Sequence, residues 1–473
     1  MSTSPDAIVV GSGPNGLAAA IMLARSGLRT LLREGQPTLG GGLRSAELTL
    51  PGFVHDVCSA VHPLALSSPF FRSLPLAQFG LEWIQPEAPL VHPLDGGKAA
   101  VLEQSLESTG RGLETGGREW VNLHGAFARA WDELAADVLT SPLHLPRKPI
   151  LMARFGVQAL LPATLLARRL RGPAGRALFA GNAAHSFLAL DAPGTAAFGL
   201  LLGAAAHAVG WPIVRGGSQR FADALLAYFR SLGGEVQADA AVTSLDELAP
   251  ARVVMLDLGP RQFVRIAGDR LPAGYRRALE RYRYGAAAFK LDWALDGPVP
   301  WTSPSCARSA TVHLGGTLEE VAASEAAHER GEVHPRPFVL FVQPTLFDST
   351  RAQAGRHTAW AYCHVPNGCT LDLTERIEQQ VERFAPGFRQ RILARSTISP
   401  AQFEQRNANL IGGDINGGMM DLLQVVRRPV LRPAPYRTPL RGVYLCSAST
   451  PPGGGVHGMC GYHAARTALA DLR

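Results

Sequence analysis

Three short runs of small residues carry the pattern from which chemistry can be read. The first is Gly11-Ser12-Gly13-Pro14-Asn15-Gly16, a GxGxxG turn. Gly11 permits a tight turn, Gly13 lets the backbone approach a diphosphate, and Gly16 lets a helix pack close to the preceding strand. The N-terminus of that helix presents N–H groups and the positive end of its dipole to phosphates. Glu34 stands 18 residues beyond Gly16, where a carboxylate can accept the hydroxyls of a ribose. Gly11, Gly13, Pro14, Asn15, Gly16 and Glu34 are therefore candidate cofactor-binding residues, and the cofactor they suit is a dinucleotide.

The second run is Gly40-Gly41-Gly42-Leu43-Arg44-Ser45. This run resembles the glycine-pair motif with a trailing Arg found in flavoproteins of the amine oxidase and phytoene desaturase superfamily, a likeness that implies backbone N–H groups and a guanidinium near the flavin diphosphate and adds Gly41, Gly42, Leu43 and Arg44. The third extends from Cys446 to Gly461 and includes Pro451-Pro452-Gly453-Gly454-Gly455-Val456-His457-Gly458-Met459. Small residues ahead of a helix again suit close approach of backbone to a ligand. No P-loop, HExxH or Ser-His-Asp pattern is present.

These turns need elements to hold them. Ala7–Val10 reads as a buried strand, Leu17–Ser26 as an alanine-rich helix ended by Gly27, and Leu28–Arg33 as a second strand. The third run is framed by a strand over Arg441–Leu445 and a helix over Tyr462–Leu472. In the middle of the chain, Phe221, Leu225, Leu226, Phe229 and Leu232 mark one helix face, and Gly233-Gly234 ends that helix. A strand pair, Glu235–Ala238 and Ala241–Leu245, is predicted next, then a buried strand at Val253–Leu256. Ala287–Leu295, Pro337–Gln343 and Thr358–Val365 are strands of a second unit.

Together the three runs resemble the signatures of the phytoene desaturase family, within the carotenoid desaturase and amine oxidase superfamily of flavoproteins. The resemblance is clear over residues 5–62, 210–260 and 440–473, and weaker elsewhere. It implies FAD as cofactor. It implies an α/β fold: a Rossmann-like FAD-binding domain of the glutathione reductase type, with an inserted α+β substrate domain. The FAD-binding domain is expected over 1–75, 205–270 and 426–473, and the substrate domain over 76–204 and 271–425. By the same resemblance Val242 packs on the adenine, and Ser447 and Ser449 lie near the ribityl chain and diphosphate. Gly455, Val456, His457 and Met459 lie near the flavin ring, where a helix N-terminus favours the anionic reduced form. Family members usually carry Gly or Ala where Ser449 stands and His where Pro451 stands.

The implied activity is desaturation or dehydrogenation of a hydrophobic, carotenoid- or isoprenoid-like molecule by hydride transfer to flavin N5. His457 is the catalytic candidate, touching ring or substrate; the alternative is a hydrogen-bonded structural histidine. His62 lies on a segment that in the family leads toward the substrate cavity, and Lys290 falls where some amine oxidases hold a water-binding lysine. His185 and His207 read as packed core histidines. Two other functions compete: an amine or amino-acid oxidase, against which the tail lacks an aromatic pair, and a non-catalytic FAD-binding protein of lipid or protein interaction. A long apolar cavity favours the isoprenoid reading; a short one with a carboxylate or aromatic cage favours amines.

Bulk properties narrow the partners. A chain of 473 residues with 46% hydrophobic and 18% charged side chains is globular and long enough for two interleaved domains. The net charge of +7 is carried by arginine, with lysine only at Lys98, Lys148 and Lys290, and no basic run interleaved with aromatics points to nucleic acid. The six cysteines form no CxxC pair and no zinc spacing, so neither a disulfide framework nor a metal is expected, and a reducing compartment is. No signal peptide is read, which makes the expected location cytoplasmic. Residues 142–170, rich in Leu, Ala and Arg, are either an amphipathic segment touching the inner face of a membrane or a helical cap over the cavity. The oligomeric state stays open.

Overall fold

The strand Ala7–Val10 is buried at every position, as a strand covered on both faces must be. In the computed structural model, which describes residues 4–249 and 251–473, it is the central member of a five-stranded parallel sheet. The order is Val443–Leu445, Val253–Leu256, Ala7–Val10, Thr30–Arg33, Glu235–Gln237. Ala7 pairs with Val253 on one side and Thr30 on the other. The helix Pro14–Arg25 begins three residues before the expected start at Leu17, because the fixed φ and missing N–H of Pro14 suit a first helical position. The last helix, Met459–Asp471, likewise starts three residues before Tyr462 and packs against the first. A Cβ on Gly461 would collide with the Asn15 carbonyl, so this crossing has no room for a side chain. The first and last helices thus cross beside the first glycine turn.

A second, seven-stranded sheet is mixed. Its order is Ile392–Ile398, Ala287–Leu295, His357–Val365, Val339–Val342, Thr311–Leu314, Leu90–Pro93, Ala99–Leu102. Only the Thr311–Leu314 and Leu90–Pro93 pair is parallel. Helices between residues 106 and 209 pack around the helix Ala196–Val209. The residues between the sheets are tied by a buried ionic knot. Arg351 Nη1 donates to Asp56 Oδ2 and its Nε to Asp348 Oδ2, each at 2.9 Å, while Nη2 donates to the Val214 carbonyl. Burial pushes the Asp56 carboxyl up, but the Arg351 charge and the Ser218 N–H outweigh it and hold it below the usual range.

One expected strand does not form. After Glu235–Gln237 the chain turns at Asp239, whose φ is +50°. Residues 241–244 then run without ladder partners, and Ser244 caps a 3₁₀ turn at Leu245–Leu248 in a reciprocal box with Glu247. The side-chain capping bonds take the place of strand pairing. Among the described residues no helix is long and apolar enough to cross a membrane.

Candidate functional site

The two N-terminal glycine turns lie against each other. Gly11 leaves the first strand with φ +99°, and Gly41 has φ +56°. A Cβ on Gly41 would stand 2.8 Å from the Gly13 Cα, and one on Gly13 would stand 2.8 Å from Asp257 Oδ2. A Cβ on Gly42 would meet nothing within 4 Å, so this residue borders open space. Asn15 Oδ1 is buried without a hydrogen-bond partner at the same place. A cradle of bare backbone with an unused polar atom fits a dinucleotide's diphosphate.

Glu34 closes the sheet end of this cradle. Its Oε2 accepts from Ser12 N at 2.9 Å and Ser12 Oγ at 2.6 Å, and its Oε1 accepts from Gln36 N at 3.0 Å. A carboxylate has about four acceptor directions, so it retains capacity for a ribose hydroxyl. The helix end is less free than its sequence implies. Asp257, at the end of the strand Val253–Leu256, accepts the Gly16 N–H at 2.9 Å. Burial pushes the Asp257 carboxyl up to about 7, the Gly16 N–H opposes this, and Glu34 adds to it.

One continuous cavity of about 700 Å³ runs from this cradle toward the second sheet. Its lining includes Gly11, Gly13, Pro14, Asn15, Glu34, Gly41, Gly42, Arg44, Val242, Ser447, Ser449, Gly455 and Val456, all candidates from the sequence. Arg44 faces it with Nε donating to the Gly41 carbonyl and Nη2 to the Arg406 carbonyl. Ser447 Oγ donates to the Leu258 carbonyl and Ser449 Oγ to the Gly417 carbonyl, which holds the C-terminal loop beside the first sheet. Val242 borders the cavity without belonging to a strand.

Other candidates turn elsewhere. Gly16, Leu43, His457 and Met459 do not line the cavity. His457 Nδ1 accepts the Met459 N–H at 3.0 Å, and its carbonyl accepts from Ser68 Oγ at 2.7 Å. Burial pulls its imidazole down to about 4. The neutral ring thus steadies the start of the last helix. His62 lines the cavity and shares a 2.9 Å hydrogen bond with Ser218 Oγ. Lys290 is buried, paired to Asp292, with its Nζ 4.9 Å from the Trp360 ring centre. His207, half-buried, accepts from Trp120 Nε1 at 3.0 Å.

The far end of the cavity is walled by residues that sequence reasoning passed over or read as core. Leu202, Trp211, Leu340, Val342, Trp360 and Tyr362 supply apolar surface, and His185 and Thr311 the polar points. Trp360 and Tyr362, two apart on one strand face, stack with centroids 6.1 Å apart and planes 13° apart. His185 shares a 3.1 Å hydrogen bond with His313. The only acids on the whole lining are Glu34 and Asp257, both at the cradle end. Asn409 was missed too: it donates to the Asp257 carbonyl and accepts the Gly259 N–H, each at 2.8 Å. The neighbouring Gly412-Gly413-Asp414-Ile415-Asn416-Gly417-Gly418 run was the signal that could have marked this loop.

Comparison with known proteins agrees with this geometry. Residues 9–72 match the family of NAD(P)-binding Rossmann-like domains. The chain is similar to a rat protein, pyridine nucleotide-disulfide oxidoreductase domain-containing protein 2, 26% identical with 99% of this chain and 94% of the rat protein covered. An oxidoreductase structure from Methanosarcina mazei has 16% identity and TM-score 0.64, covering 98% of this chain and 99% of that one. Cyclohexylamine oxidase from Brevibacterium oxydans has 16% identity and TM-score 0.58, covering 99% and 100%. The fold is therefore that of these oxidoreductase structures along the full chain: a parallel Rossmann-like sheet joined to a mixed one.

Proposed function

We propose that this chain is an FAD-dependent oxidoreductase that dehydrogenates an apolar, uncharged substrate. The observation that carries the reading is the single cavity, which joins a dinucleotide cradle to a chamber of Leu, Val and Trp surface. Bound FAD would supply the hydride acceptor. The chain's own part is positional. The turns at Gly11–Gly16 and Gly41–Gly42 hold the diphosphate, and Glu34 holds the adenosine ribose. Gly455 and Val456 border the reacting end, by the resemblance to phytoene desaturases. Trp211, Leu340 and Val342 exclude water and orient the substrate chain. No carboxylate lies at the chamber end to pair with a cation.

A second reading, amine oxidation, is favoured by the Trp360–Tyr362 pair, since aromatic faces attract ammonium groups. The two readings part on substrate charge. The test is anaerobic bleaching of the purified protein after its cofactor has been released and identified. Apolar isoprenoids should bleach the flavin and alkylamines should not. Bleaching by amines alone would replace the first reading with the second, and a protein that refuses FAD would remove both.

We further propose that residues 142–170 rest on an anionic membrane surface. The helix Pro149–Ala159 buries Phe155 and Ala159 but leaves Ile150 87% and Val157 71% exposed, and Leu145 is 94% exposed. Leu160 and Leu165 are exposed as well. The helix Leu422–Arg427 adjoins this segment: Gly194 donates to the Leu160 carbonyl and packs on Leu422, beside exposed Leu423 and Val426. Residues 139–190 contain no acid and carry Arg147, Lys148, Arg154, Arg168, Arg169, Arg171 and Arg176. The chain's 46 basic and 39 acidic residues leave +7, so this stretch accounts for the whole excess. Exposed apolar side chains in an acid-free, arginine-rich stretch match lipid with anionic headgroups, although Arg171 is paired with Glu119.

A further inference from the structure

Glu325 and His328 lie one helical turn apart on the helix Leu318–Glu329, and His364 meets them from the strand His357–Val365. Residues three apart share a helix face. A Thr317–Glu320 capping box fixes where this helix begins and so the phase of that face. All three side chains are buried. Glu325 Oε2 stands 2.6 Å from His364 Nδ1 and 3.6 Å from His328 Nε2. One donor atom from each residue lies within 4.8 Å of the others. The rest of the cluster is unsatisfied: Glu325 Oε1, His328 Nε2 and His364 Nε2 are buried with no hydrogen-bond partner. Native interiors rarely leave one such atom unpaired, and an ion or ordered water is the usual reason.

We propose that Glu325, His328 and His364 bind a divalent transition-metal ion of the zinc class. Two imidazoles and one carboxylate are the ligand types such an ion takes. Bond lengths of about 2.0–2.2 Å around a tetrahedral ion put ligand atoms roughly 3.3 Å apart. The two separations from Glu325 Oε2, 2.6 and 3.6 Å, bracket that spacing, and the three ligand atoms all lie within 4.8 Å of one another. Three protein ligands leave a further position for water.

The position indicates what the ion does. None of the three residues lines the cavity, so this site is distinct from the dinucleotide cradle. The Tyr362 ring, which does line it, is 5.6 Å from that of His364, and the Phe187 ring is 3.7 Å from His364. The ion pins the helix Leu318–Glu329 to the strand bearing Trp360 and Tyr362, and thereby stiffens one wall of the chamber. The expected absence of metal followed from linear spacing, and this set is assembled only by the fold.

The test uses the full chain, dialysed against chelator and then titrated with Zn²⁺ under a competing dye. The wild type should take up zinc stoichiometrically and melt at higher temperature with it. Glu325→Gln and His328→Ala should each weaken zinc by at least about tenfold, since even outer partners of a metal site cost that much. Flavin content should not change. Zinc binding as tight in both variants as in the wild type, or none in the wild type at micromolar zinc, would overturn the site. Should the variants fail to fold, zinc-edge X-ray absorption on the wild type decides. Nitrogen and oxygen scatterers support the proposal, and a sulfur shell would move the ion to cysteine and refute it.

Discussion

Asp257 Oδ2 accepts the Gly16 N–H at 2.9 Å, so a carboxylate occupies part of the helix end where a diphosphate belongs. Its pKa, near 7 in the fold against 3.8 unfolded, means the folded chain holds this proton more tightly. Stability from this group is complete below pH 3.8, falls as pH rises toward 7, and is constant above. The full effect is on the order of 4 kcal/mol, an upper bound from the shift. Asp257→Asn keeps an acceptor for Gly16 and removes the titration. The variant should be more stable than wild type at pH 8 and equal to it near pH 4. It should also lose the weakening of FAD binding expected as wild-type Asp257 ionises beside the diphosphate. Identical pH profiles in urea melts and FAD titrations would show that Asp257 does not titrate there.

Gly13→Ala tests the cradle directly. The new methyl would stand 2.8 Å from Asp257 Oδ2 and project where the backbone must approach the cofactor. The expected protein is folded by far-ultraviolet circular dichroism and holds at least about tenfold less FAD after gel filtration. Gly27→Ala is the comparison, because a Cβ there meets nothing within 4 Å. Its φ of +86° costs stability without touching the cavity. Equal flavin loss in both would trace the effect to folding.

What could be read from the chain differs sharply between the two ends of the cavity. The cradle was legible because its physics is local: Gly11, Gly13 and Gly16 dictate backbone geometry within six residues, and the flanking strands at Ala7–Val10 and Val253–Leu256 carry unbroken apolar runs. Ala287–Leu295 formed as expected from its partial two-residue alternation, with Lys290 and Asp292 among its apolar residues. The chamber was not legible. Trp360 and Tyr362 alternate with Ala359 and Ala361, a pattern shared by any half-buried strand, and only the sheet order shows which face meets the cavity. Asp257 carries no local signal, since its partner Gly16 is 241 residues away. For His457 the motif gave the neighbourhood but not the direction of the ring. For Val242 the β-branched pattern was overruled by the Ser244 cap.

Buried histidines set a limit on the acid side. Burial lowers His62, His92, His457 and His463 to about 4, and His124 and His185 to about 3. Each is neutral in the fold and protonates near 6.5 once unfolded, so unfolding takes up protons between these values. Stability should therefore fall steeply as pH drops from 6.5 toward 4, opposite in sign to the Asp257 effect. His62→Gln is the sharpest single probe, because an amide can keep the Ser218 hydrogen bond while removing the titration. Chemical denaturation from pH 4 to 8 should show a shallower acid slope in this variant. An unchanged slope would assign the acid sensitivity to the other histidines.

The membrane face yields the last prediction. Ile150, Val157 and Leu160 are exposed, and so are Arg147, Lys148, Arg154, Arg168 and Arg169 in the same stretch of chain. Each cation near an anionic surface contributes about 1 kcal/mol and is screened by salt, whereas apolar insertion is salt-independent. The wild type should sediment with vesicles of phosphatidylcholine mixed with phosphatidylglycerol, more weakly with phosphatidylcholine alone, and less at high salt. Replacing Ile150, Val157 and Leu160 together by Ser should weaken vesicle binding by at least about tenfold, since each removes roughly 1 kcal/mol or more of buried apolar surface. FAD content should be unaffected, because none of the three touches the cavity. If instead the wild type ignores vesicles and runs at twice its mass, while the triple variant runs as a monomer, the face is covered by a second copy of the chain and not by lipid.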